Sequence, residues 1–390
     1  MSTTAAVSTP ADLAAGRGES RRRILAGVLL LYFGVQGSVG LAWDIFWHVA
    51  VGRDRFLTPP HVFMYTAVAA AGLISLYMVL TSTWRYRRGV AGVNDGTTTP
   101  WLRLFHAPVG FVIAGLGCLT LLCAAPLDNY WHILYGIDVD LWTPFHIMGL
   151  VGGLIVSIGI MYLFASEANR ARRRGDTARR LLGMTGPEWG FCLAVTNIFD
   201  QTFTVALPAL SQHLLLSSDP AVALHPLLLA VGLPLAFGIL VRQVGRTEAA
   251  VVGAALYALI NLASEGFARL GTAWLVAAEG YSYRPTAPPL GINPLPDQQV
   301  VVGAVMFWLA YRYFIAVPTR RARRAAPWVA GLMAAAGIAL ADRQWLAVAT
   351  TRLENAGNVL MISAILAALV GALLAACGDG AGRVLRQTER

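Results

Sequence analysis

Long apolar stretches alternate with short polar ones along nearly the whole chain. A helix of about 20 apolar residues crosses the ~30 Å hydrocarbon layer of a bilayer. About ten runs of that length can be marked, at residues 24–46, 60–82, 103–126, 143–165, 189–210, 221–241, 249–270, 298–317, 326–342 and 356–376. This pattern predicts an all-α fold, a polytopic transmembrane helix bundle. Runs of small residues such as GLVGGLIVSIG, from Gly149, predict close approach of neighbouring helices. The opening ~20 residues, rich in Ala, Ser, Thr and Gly, read as a disordered cytoplasmic tail with no cleaved signal peptide. The expected organisation is a tail over 1–20, a duplicated four-helix region over 21–166, six further spans over 167–377 and a second cytoplasmic tail over 378–390.

Composition supports a membrane protein: 56% of residues are hydrophobic and only 13% charged. The net charge of +9 does not point to nucleic acid, because its distribution follows the spans. All 30 basic residues are arginines. They cluster on alternate loops and tails, at Arg21–Arg23, Arg85–Arg88, Arg170–Arg180, Arg242–Arg246, Arg320–Arg324 and Arg383–Arg390, whereas the opposite set carries only Arg53, Arg55, Arg284, Arg343 and Arg352. The positive-inside rule then puts both termini in the cytoplasm and the chain in a plasma (inner) membrane, with anionic lipid beside the arginine loops. Cys118, Cys123, Cys192 and Cys377 lack metal-type pairing and read as small packing residues without a disulfide framework.

Two stretches break the apolar pattern in the same way. WDIFWHVAVGRDRFLTPPH, from Trp43, and LDNYWHILYGIDVDLWTPFH, from Leu127, each join the end of one span to the start of the next. Asp44, Trp47, His48, Gly52, Asp54, Thr58, Pro59 and His61 match Asp128, Trp131, His132, Gly136, Asp138, Thr143, Pro144 and His146 once one residue is inserted. Identities this dense suggest two parallel helix hairpins related by duplication. Asp44 and His48 fall one helical turn apart on one face, as do Asp128 and His132. Thr-Pro then marks the start of the returning helix, threonine as N-cap and proline in the first turn, which brings His61 and His146 back to the same end. Gly52 and Gly136 permit the turn. Asp54 and Asp138 are expected as loop caps or as acceptors that fix a histidine tautomer. Trp47 and Trp131 fit an interfacial aromatic belt.

Each hairpin therefore gathers two imidazoles and a carboxylate. That set suits iron(II), copper or zinc, and ligand type alone does not choose among them. The same groups could instead pair with one another, or relay protons, without any metal.

The first stretch resembles the metal-binding segment of the C subunit of particulate methane monooxygenase and ammonia monooxygenase, in which Asp-x3-His and a histidine thirteen residues on supply copper ligands. Asp44, His48 and His61 have that spacing. In that family a second copper site uses Asn-x3-His and a histidine fourteen residues on, which Asp128, His132 and His146 match with aspartate replacing asparagine. The resemblance covers roughly residues 24–165. It implies a copper cofactor, with Asp44, His48 and His61 as the catalytic set and the second triad holding a further ion. It also implies oxidation of a small apolar substrate by dioxygen, with electrons from an external donor. The chain departs from the family in bearing nothing like the soluble copper domains of its partner subunits. The expected partners are the lipid bilayer, an electron donor or other monooxygenase-type subunits, and a second copy of the chain; nucleic acid is not among them. The alternatives are a metal transport or delivery protein and a non-catalytic membrane partner subunit.

Beyond the triads, Asp200 falls near the middle of the fifth span, where a carboxylate is expected to face a substrate or proton path or to pair with Arg269 or Arg312. Glu265 and Arg269 have ordinary helix ion-pair spacing. His213 and His225 imitate a third, decayed hairpin, and His106 is expected to be structural.

Overall fold

The computed structural model describes residues 10–52, 55–136, 142–175, 180–202, 219–285, 287, 288, 290, 298–341 and 353–387, without the side chains of residues 10–15, 219–228 and 353–360. The elements in chain order are α1 (Pro10–Ala50), α2 (Pro59–Arg87), β1 (Thr98–Trp101), β2 (Phe105–Pro108), α3 (Val109–Tyr135), α4 (Pro144–Arg173), α5 (Gly186–Phe199), α6 (Asp219–Val244), α7 (Ala249–Glu279), α8 (Gln298–Ala316), α9 (Arg320–Ala341) and α10 (Leu353–Gln387). Among the described residues, α1–α4 and α7–α10 each contain a stretch long and apolar enough to cross a membrane. The protein is an all-α polytopic bundle, an integral membrane protein.

Helices α3 and α4 approach closely because glycines face each other across them. A methyl group on Gly117 would lie 2.6 Å from the Val156 nitrogen and 2.7 Å from the Gly152 carbonyl oxygen, and one on Gly159 would lie 2.7 Å from the Gly110 carbonyl oxygen. The small-residue run from Gly149 therefore brings backbone against backbone, as expected. Beneath the hairpin turns, Leu30, Phe111, Ile160, Leu163, Phe164 and Phe191 form part of a continuous buried core.

Two expectations are corrected at the arginine-rich end. The third span begins at Val109 rather than 103, because residues 98–108 fold as a small antiparallel hairpin with Thr98 opposite Pro108 and Trp101 opposite Phe105. Tail residues expected to be disordered are helical from Pro10, and Glu19 and Ser20 are buried. The C-terminal segment is helical to Gln387, with Asp379 buried against the Tyr311 hydroxyl at 2.8 Å.

The physical reason at the N-terminal side is a buried ion network. Arg23, wholly buried, donates to Glu19 at 3.1 Å, to Asp95 at 3.1 Å and to Thr97 at 2.7 Å. Arg170 binds both Asp95 and Glu167, Ser20 donates to Glu167, and Arg85 reaches Glu19 at 2.8 Å. Several of these arginines thus hold α1, α2, α4 and the segment leading into β1 together. Burial pushes the Asp95 carboxyl upward, but Arg23, Arg170 and the Thr97 hydrogen bonds outweigh it and leave its pKa below the ordinary 3.8. His106 is structural, stacked on Tyr86 at 3.6 Å with its Nε2 3.1 Å from Asn94 Oδ1.

All four cysteines are free; Cys118 and Cys192 are buried packing residues, whereas Cys123 and Cys377 are exposed.

Candidate metal centre

The two hairpin turns lie at one end of the bundle, since α1 and α3 run towards it and α2 and α4 return from it. Gly52 and Gly136 both adopt left-handed φ, +75° and +89°, where a side chain would strain the backbone. Thr58 and Thr143 occupy the N-cap positions of α2 and α4, each followed by proline in the first turn. Only Thr143 caps with its side chain, accepting from the His146 N–H at 3.4 Å. These turns return His61 to the Asp44–His48 face of α1, and His146 to the Asp128–His132 face of α3.

In the first triad, His61 Nε2 lies 3.1 Å from Asp44 Oδ1, and the His48 ring is 6.1 Å from the His61 ring. In the second, Asp128 stands between the imidazoles, with Oδ2 3.3 Å from His132 Nε2 and Oδ1 3.4 Å from His146 Nε2. Each residue offers one ligand atom, and within a triad these atoms all lie within 4.8 Å of one another.

Backbone contacts assign three of the tautomers. His48 Nδ1 is 2.8 Å from the Asp44 carbonyl oxygen, His61 Nδ1 3.0 Å from that of Arg55, and His132 Nδ1 3.1 Å from that of Gly136. A carbonyl only accepts, so each Nδ1 carries the hydrogen and Nε2 presents its lone pair when the ring is neutral. Asp44 Oδ1 and Asp128 Oδ1 are buried and make no hydrogen bond, although imidazole nitrogens stand beside them. Lone pairs that converge this closely call for a cation or a proton between them. The donor set therefore fits a metal ion, with the Nδ1–H bonds fixing ring orientation as they do around metal-bound histidine.

The surroundings of the two triads differ. The segment after α7 roofs the first hairpin: the Arg284 N–H donates to the Ala50 carbonyl oxygen at 2.8 Å, and Tyr281 packs edge-on against Trp47 at 5.6 Å. Trp47 is consequently only 2% exposed, which corrects its assignment to an interfacial belt, while Trp131 is partly exposed and packs on Tyr135 and Phe145. Tyr65, which sequence reasoning missed, stacks on His61 at 5.8 Å. Its only signal was its place one turn beyond His61.

Asp54 and Asp138 lie outside the described residues, as does His213, and the side chain of His225 is likewise not described. Asp200 is buried where α5 passes into a π-type turn, and it lines a cavity between α1, α5 and α7 rather than joining a triad. Glu265 and Arg269 pair as their spacing predicts, with Arg269 Nε 3.0 Å from Glu265 Oε1, and Arg312 lies 3.6 Å from Glu248. Comparison of the chain with family models, with curated proteins and with solved structures found no match in any of the three.

Proposed function

We propose that the protein is a membrane copper enzyme that oxidises a small apolar substrate with dioxygen. Asp44, His48 and His61 hold the reacting metal, and Asp128, His132 and His146 hold a second ion. The observation that carries the metal reading is the gathering, in each triad, of one carboxylate and two imidazoles with ligand atoms within 4.8 Å, with Nδ1 of His48, His61 and His132 tied to backbone carbonyls. Copper and oxidation rest on the resemblance of the two stretches to the monooxygenase C subunit. The arginine distribution supports a cytoplasmic position for both termini and an outward-facing position for the triads.

Bound copper would supply a centre for dioxygen reduction with electrons from an external donor. The chain's own residues do the rest. Asp44 supplies the negative charge that holds a cation beside His48 and His61. The backbone carbonyls of Asp44 and Arg55 keep both rings aimed, and Trp47, beneath Tyr281 and the Arg284 backbone, closes the adjoining side of the hairpin. At the second triad Asp128 has the same role, and its charge, where the family has a neutral asparagine, favours a more firmly held ion.

Metal delivery is the second reading, supported by the partial exposure of the ligands, 30% for the His146 side chain. Conduction across the membrane has less support. Below the hairpins the polar ladder Gln201–Ser38–Asn197–Ser157 gives way to the apolar core of Leu30, Ile160, Leu163 and Phe164.

The test is elemental analysis of detergent-purified protein, wild type beside His48→Ala and His132→Ala. The expected result is about two copper ions per chain, falling by about one in each variant, with dioxygen uptake dependent on a small hydrocarbon or ammonia and lost in His48→Ala. Iron or zinc in place of copper would overturn the oxidase reading but keep the sites. Folded protein that takes up no metal after copper reconstitution would overturn both readings.

A further inference from the structure

A cleft runs along the surface of the bundle between α1 and α2, at the arginine-rich end of the pair. Ala26 and Met78, both buried, form its floor, and Leu29, Leu73 and Tyr77, each at least half exposed, form its walls. The space between them is about 350 Å³. From Arg22 to Leu29 the helix rises about 10 Å, so the cleft reaches about a third of the way into a ~30 Å hydrocarbon layer. Arg22 is the only charged residue that borders it.

Arg22 is held in place but not satisfied. Nη1 donates to Thr81 at 2.9 Å, and Nη2 donates to Ser82 at 3.0 Å and to Glu19 at 3.4 Å, whereas Nε is buried without a partner. A guanidinium carries five N–H groups, so two have no acceptor, a cost that an arriving oxygen would remove. Its charge is poorly matched as well. Among the described residues, Glu19 is the single carboxylate partner of both Arg22 and Arg85, and it is shared with Arg23 at 3.1 Å. Positive charge therefore prevails where the apolar cleft ends.

We propose that the cleft binds an anionic phospholipid. One acyl chain lies along Ala26, Leu29 and Leu73, and the phosphate accepts hydrogen bonds from Arg22. A zwitterionic phospholipid brings the same phosphate, but its ammonium group adds positive charge beside Arg22 and Arg85, so the cleft selects a headgroup of net negative charge. A second copy of the chain fits less well: inserted the same way up, it would set its own arginine-rich end against this one. The site stands independently of the metal reading, since the triads lie at the opposite ends of their helices.

The test is native mass spectrometry of the delipidated full chain, titrated in detergent with dioleoylphosphatidylglycerol or dioleoylphosphatidylcholine. One phosphatidylglycerol should bind about fivefold or more tightly than phosphatidylcholine. Arg22→Gln should erase that preference, and Arg321→Gln, at an exposed arginine on α9, should leave it intact. Should Arg22→Gln fail to fold, the wild type decides: phosphatidylglycerol with a diazirine in its acyl chain should label residues 26–29 or 73–78. Equal binding of the two lipids, a preference that survives Arg22→Gln, labels confined to other helices, or a dimer that binds no lipid would overturn the proposal.

Discussion

Replacing Gly117 with alanine tests whether the second triad depends on the glycine contact between α3 and α4. The added methyl would lie 2.6 Å from the Val156 nitrogen, 2.7 Å from the Gly152 carbonyl oxygen and 2.8 Å from Val156 Cγ2. Carbon contacts are comfortable only from about 3.5 Å. Two of the three atoms belong to the α4 backbone and cannot swing aside, so the helices must part by roughly 0.8 Å, at an overpacking cost of about 1–3 kcal/mol. Gly149→Ala provides the control, because no described residue lies within 4 Å of a methyl there. Alanine favours a helix over glycine by up to about 1 kcal/mol at either position, so the difference between the variants isolates the clash. Gly117→Ala should unfold at least a few degrees below Gly149→Ala when detergent-solubilised protein is heated and followed by circular dichroism. Parting the helices also moves Asp128 away from His146, now 3.4 Å apart, beyond the ~0.5 Å tolerance of a built site. Metal affinity at the second triad should fall about tenfold or more, while the first triad, on α1 and α2, keeps its ion. Equal melting of the two variants with undiminished metal would refute the reasoning.

Asp44→Asn and Asp128→Asn preserve shape but remove the charge, so each should lose about one ion per chain, and the double variant should carry none by elemental analysis. Retention of metal by the double variant would remove both triads as ligand sets. Gly52→Ala and Gly136→Ala should each destabilise by about 1–3 kcal/mol by thermal melting, since the Gly52 methyl meets both a left-handed backbone and the Arg284 guanidinium, and Gly136, at φ +89° and ψ −177°, lies in a region essentially confined to glycine. Asp95→Asn should lower the melting temperature at neutral pH. Because the Asp95 carboxyl titrates below 3.8, its stabilisation is complete above that value and fades as pH falls through the lowered pKa; the deficit of the variant should persist unchanged from pH 7 to about 5 and shrink only below about 4. A deficit that closes between pH 7 and 5 would refute the assignment.

The features legible in the sequence are those encoded locally. Asp44 with His48, and Asp128 with His132, sit one turn apart on a single helix, and Thr58-Pro59 and Thr143-Pro144 announce where the chain turns back. Apolar run length set the eight long helices α1–α4 and α7–α10, except at 98–108, where the chain forms a small antiparallel hairpin before α3. The arginine-end network was hidden because its members meet across the fold: Arg23 finds Asp95, and Ser20 finds Glu167. Trp47 looked interfacial because its cover, Tyr281, comes from a distant segment after α7. Asp200 was singled out by its depth alone, and nothing nearby in sequence indicated that Asn261 and Ser264 would face the same cavity.

The buried ion network and the triads also fix the height at which the bundle floats in its bilayer. Arg23 and Asp44 on α1 are separated by about 31 Å along the helix axis, as are His146 and Glu167 on α4, close to the ~30 Å hydrocarbon thickness. Polar groups pinned at both ends keep these helices from sliding to suit a thicker or thinner membrane, so a mismatch must be taken up by tilt or by the lipid. The triads are thereby held at the boundary where hydrocarbon gives way to headgroups. An apolar molecule dissolved in the acyl chains and an ion from water can reach that level from opposite directions.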